Sequence, residues 1–276
     1  MQVRITPRYS ELADTYFWLR APCDGGPAVP LRSRVSALFE SLPRHAFMIL
    51  DPLMASQAGD PYALQSWLAA AGEGEMARLE AAVAPYLGTP LRELVAELSS
   101  CLVAAAAAPP PARQADITAA IASLDVAGLG RATAAVAAAL GLDAAAETEL
   151  AIEMTLVADG IALGGLTGEL HDGQPACFAA IRGYCGSTLA ELIVHEATHA
   201  LDILNPLPDS LVERLRAEPD ADPQLWHATF FLAAAAAVRE HIAAGHKDFG
   251  ATHGYYAKVP AVLRELQARG IDSQIR

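Results

Sequence analysis

Positive charge is scarce in this sequence: 19 Lys and Arg stand against 32 Asp and Glu in 276 residues, a formal charge of −13. Nucleic acids and anionic membranes are held by clustered Lys and Arg, so neither is an expected partner. The four cysteines, Cys23, Cys101, Cys177 and Cys185, lack the short paired spacings of zinc knuckles and redox dithiols. They read as free, mostly buried thiols of a reducing compartment. No stretch approaches the roughly 20 apolar residues that a membrane-spanning helix needs. The longest, Leu225 to Val238, is interrupted by His227. The opening residues, Met1 to Pro7, lack the charged-then-apolar order of a secretory signal. A cytoplasmic protein is the expectation.

What is abundant is alanine, which supplies much of the 53% hydrophobic content. It favours helix and lets helices approach closely. A chain of this length buries roughly three quarters of its unfolded surface and needs no disulfide staples. The expected class is α+β, predominantly helical. Residues 1–108 read as a helical N-terminal region punctuated at Gly25-Gly26-Pro27 and Gly59-Asp60-Pro61. Thr89-Pro90 opens a helix from Leu91 to Ala108, which Pro109-Pro110-Pro111 stops. Residues 114–276 then form a second region, or continue the first as one domain. A helical pair is expected between Asp116 and Leu142. Leu150–Ala158 and Gln174–Ile181 have the length and composition of strands in a small sheet. From Thr188 the periodicity is helical again.

The residues that carry chemistry are His195-Glu196-Ala197-Thr198-His199. Side chains four apart share a helix face, so two imidazoles can converge on one cation. Glu196 is turned about 100° from His195, which puts its carboxylate beside a metal rather than on it. There it can take a proton from an activated water and pass it to a leaving group. Thr188-Leu189-Ala190-Glu191 reads as a capping box that starts this helix, and Asn205-Pro206 as its stop. Asp202 falls one turn beyond His199 on the same face, where it could orient a histidine or bind metal itself.

Two histidines need a third protein ligand. Asp222-Pro223 reads as the start of a helix running to Gly245, with His227 near its beginning. His227 shares a side with Phe231, Ala234 and Val238, the side expected to face inward. Glu240 lies about 140° away and reads as solvated. His227 is the expected third ligand, with Asp202 and Glu213 as alternatives; Glu213 is also explained by a capping box, Ser210 to Glu213. Near the end, one of His253, Tyr255 or Tyr256 could donate to a developing oxyanion, with Tyr256 preferred. His241 and His246 read as surface or capping residues.

The run His195 to Asp202 resembles the active-site helix of the zincin metallopeptidases. The resemblance implies zinc on His195 and His199, a water-activating Glu196, and an edge strand that pairs with an extended peptide, a part that Gln174–Ile181 would play. The glycine and later histidine of the metzincin extension are missing, and so is a downstream helix presenting a ligand glutamate. With His227, the site is a three-histidine one. The expected function is a zinc-dependent hydrolase acting on a peptide or small molecule, with Glu196 as general base. An Fe(II) oxygenase and a non-catalytic, zincin-like binding protein are the alternatives.

Overall fold

In a computed structural model of the chain, the described residues are 1–20, 113–142, 149–161, 164–169, 174–205, 207–217 and 225–249. They form a mainly helical α+β fold. The elements are β1 (Gln2–Tyr9), α1 (Glu11–Arg20), α2 (Arg113–Ala122), α3 (Val126–Leu140), β2 (Glu149–Val157), β3 (Gly165–Glu169), β4 (Pro175–Ala180), α4 (Gly186–Leu204), α5 (Leu211–Ala217) and α6 (Leu225–His241). The expected helix Leu91–Ala108, the boundary at Pro109 to Pro111, the Asp222-Pro223 helix start, and His253, Tyr255 and Tyr256 lie outside the described residues. Among the described residues no single helix is long and apolar enough to cross a membrane.

β1 corrects the expectation that the chain opens with helices. Val3 and Ile5 alternate with Gln2, Arg4 and Thr6, the period of a strand with one face covered, and Ile5 is buried. Pro7 is compatible with β1 because the strand order is β1-β2-β4-β3, which leaves β1 at an edge where a missing N–H breaks no ladder. The same order corrects the reading of Gln174–Ile181 as an edge strand: β4 lies between β2 and β3. It pairs antiparallel with β3, Leu166 opposite Phe178 and Thr167 opposite Cys177. Ala176 to Ala180 are all buried, the continuous apolar run of an interior strand.

The described elements fall into two compact units. One comprises β1 from Arg8, α1, α2 to Ile121, β2 from Thr155, β3, β4 and the chain to Arg182. Its core includes Phe17 and Phe178, whose rings meet edge to face at 5.4 Å. Here Arg113 bridges Asp14 and Asp159 at 2.9 and 2.8 Å, while the Ala158 N–H donates to Asp14 at 2.7 Å. Burial raises the Asp14 pKa, and these donors counter the rise.

The other unit comprises β1 to Pro7, α3, β2 to Met154, and the described residues from Gly183 onward. Helices α3, α4 and α6 pack on one another, and α5 packs on α6. Asp125 caps α3 by accepting from the Gly128 N–H at 2.8 Å, and Gly141 ends it in the left-handed region at φ 68°. A Cβ at Gly130 would collide with the Val3 carbonyl oxygen, so glycine is what lets β1 lie against α3. Within α4, Leu189 through Thr198 are all buried. A helix enclosed on every side must satisfy its polar residues within the protein, and that requirement shapes the site.

Candidate metal centre

Helix α4 does not start with the expected capping box. Its N-cap is Cys185, which makes no side-chain capping bond, and the Thr188 N–H reaches only the Cys185 carbonyl. Glu191 is instead drawn to a partner 55 residues away. Its Oε2 lies 2.6 Å from His246 Nε2 and accepts the Phe249 N–H at 2.9 Å. His246 Nδ1 lies 2.9 Å from Ser187 Oγ. His246 is therefore not the surface or capping residue expected, but a buried anchor between α4 and the segment after α6. Burial pushes the Glu191 carboxyl up to about 8 and holds His246 below its usual value, so it favours the neutral form of each.

One turn further along, His195 and His199 present their Nε2 atoms to each other at 3.2 Å. The third imidazole comes from α6: the His227 ring centre is 5.1 Å from that of His195 and 5.1 Å from that of His199. One ligand nitrogen from each of the three lies within 4.8 Å of the others, so the group could hold a metal ion. Tetrahedral zinc with bonds of about 2.0–2.1 Å sets neighbouring nitrogens about 3.3–3.4 Å apart, and the His195–His199 spacing is already close to that. Burial, followed by the neighbouring histidines, holds the His195 pKa well below its usual value. His199 is lowered first by burial, then by His227 and Arg216. Neutral imidazoles are what a cation requires of its ligands.

Glu196 is buried, with Oε1 3.9 Å from His195 Nε2, placing a carboxylate beside the convergence point rather than in the ligand group. Aromatic side chains of α6 line the rest. Phe231 stacks on His195 at 3.5 Å, Phe230 lies 4.7 Å from His199, and Trp226 is 5.4 Å from His227.

The remaining candidates have other partners. Asp202 takes Arg216 at 2.6 Å, and so serves as that arginine's counter-ion rather than orienting a histidine. Glu213 also binds Arg216, while its N–H donates to Ser210 Oγ at 3.2 Å, the expected cap. Arg216 in turn lies over the Trp226 ring at 4.3 Å. Glu240 is solvent-exposed, as expected, and His241 lies 3.9 Å from it at the end of α6.

Sequence reasoning missed the Ser187–His246–Glu191 chain. A signal was present: Ser187, Glu191, His195 and His199 recur every four residues along one face. Comparison with protein-family models, curated proteins and solved structures returns no match.

Proposed function

We propose that the protein is a metal-dependent enzyme, and that its reaction is hydrolysis of a peptide or related amide at zinc held by His195, His199 and His227. The observation that carries this reading is the convergence of three imidazoles from two helices with a buried carboxylate, Glu196, alongside. When bound, zinc supplies a Lewis acid that acidifies water and polarises a carbonyl. Glu196, beside the three imidazoles, would be the group that takes a proton from the attacking water and returns it to the departing amine. Phe230, Phe231 and Trp226 lower the polarity around the histidines, which strengthens each electrostatic contact in the site. The resemblance of α4 to the zincin helix supports the same chemistry, with the third histidine supplied by α6.

The test is elemental analysis of protein purified without chelators, followed by turnover assays on peptide and amide panels. One zinc per chain is expected, with activity lost to a chelator and restored by zinc. Glu196→Gln should lower turnover by about 10²–10⁴-fold while zinc stays bound. Full activity in that variant would remove Glu196 from the mechanism.

A second reading is favoured by the all-imidazole donor set. Three neutral ligands within an apolar shell also suit Fe(II) and oxygen chemistry on a peptide or small metabolite. Iron in protein isolated anaerobically, together with substrate-dependent oxygen consumption, would select this reading over hydrolysis.

A further inference from the structure

Among the described residues, two buried polar atoms on α4 have no hydrogen-bond partner: Nδ1 of His195 and Oε1 of Glu191. They belong to residues one helical turn apart, the spacing at which side chains meet. A buried donor or acceptor left without a partner keeps the full cost of losing its water. Two complementary orphans on adjacent turns of one enclosed helix therefore call for a common explanation.

The chemistry of the site supplies it. His195 directs Nε2 toward His199 Nε2, at 3.2 Å, so Nδ1 is the nitrogen left over for a proton. A histidine that binds metal through Nε2 usually donates its Nδ1–H to a carboxylate, carbonyl or water, which fixes the tautomer and the ring plane. Asp202, the residue expected from spacing to do this, is occupied by Arg216. Glu191 is held in place by its other oxygen, through His246 Nε2 at 2.6 Å and the Phe249 N–H at 2.9 Å.

Resting on the reading of the three histidines as a metal site, we propose that Glu191 is the positioning residue for His195. Its Oε1 accepts the Nδ1 proton of His195 through one buried water, and so keeps Nε2 turned toward the metal. The hydrogen bonding closes consistently along the chain. The His195 Nδ1–H donates toward Glu191 Oε1, the proton on Glu191 Oε2 donates to His246 Nε2, and the His246 Nδ1–H donates to Ser187 Oγ. A neutral Glu191 fits, because its carbonyl oxygen still accepts. The anchor thus ties one metal ligand to the segment after α6, 51 or more residues along the chain, by contacts that leave the coordination positions untouched.

The experiment uses full-length protein with 15N-labelled histidine, reconstituted with zinc, and a parallel measurement of zinc affinity by chelator competition. In the wild type, with the His195 signals assigned by comparison with His195→Ala, Nδ1 should be protonated and its proton protected from solvent exchange. Glu191→Ala should weaken zinc binding by about 10–100-fold and expose that proton to exchange. Unchanged zinc affinity in a folded Glu191→Ala protein, or zinc on His195 Nδ1 in the wild type, overturns the proposal and leaves the metal site standing. Should Glu191→Ala fail to fold, the wild-type tautomer and exchange rate decide alone. A wild-type chain that binds neither zinc nor Fe(II) overturns the metal reading, and this proposal with it.

Discussion

His195 and His199 were legible because metal geometry maps onto a local period: four residues make one turn, so the ligand face can be read from spacing. His227 was legible for a related reason, since its inward-facing position on α6 follows from the same periodicity. Asp202 and Glu191 were misread because their partners, Arg216 and His246, lie 14 and 55 residues away, and the four-residue spacing that aligned Glu191 with the histidines did not name its partner. At this scale the decisive substitution is His227→Ala. Loss of a direct ligand should cost more than the 10–100-fold typical of an outer partner, so a chain purified without chelators should fall from one bound metal to well below one by elemental analysis. Retention of full occupancy would show that His195 and His199 hold the ion without α6.

Helix ends show where local pattern suffices and where it fails. Asp125 before α3 caps as its residue type suggests, and Asp125→Ala should lower stability by about 1 kcal/mol in urea denaturation. Thr188 sits inside α4 rather than at its cap, so Thr188→Ala should stay within about 0.5 kcal/mol of wild type. A loss at Thr188 matching that at Asp125 would restore the capping box. The two strand corrections have one physical cause: a strand's place in a sheet depends on its neighbours. β1 was hidden by its proline, and β4 passed for an edge strand until β2 and β3 were seen on either side. Close approach matters as well. Gly130→Ala should destabilise the protein by about 1–3 kcal/mol, because the Val3 carbonyl must move to admit the methyl group.

For the whole molecule, metal and pH should act on stability through the same helix. A cation bound only by the folded chain adds RT ln(1 + [L]/Kd), about 2.7 kcal/mol at a hundredfold excess over Kd, so the melting temperature should rise with zinc and fall with chelator. In chelator-treated protein, His195, His199 and His246 are lowered, so their contribution is present above about pH 6.5 and lost as the unfolded chain takes up protons below it. Glu191 acts in the opposite sense. Raised from 4.5 to about 8, it favours the folded state most below pH 4.5, and that contribution declines until pH passes 8. Above about pH 7.5 the unfolded histidines have finished titrating, so stability should fall as pH rises toward 8, and Glu191→Gln should flatten that slope in urea titrations. A flat wild-type profile would show Glu191 to be ionised throughout.

Composition and periodicity by themselves determined the helical character, the shared face of His195 and His199 on α4 and the inward face of α6, because each depends on residues within one or two turns. Only the tertiary structure decided the strand order, the pairing of Asp202 with Arg216 and the anchoring of Glu191 by His246. Those contacts form when distant segments meet in an interior where a buried polar group must find a partner.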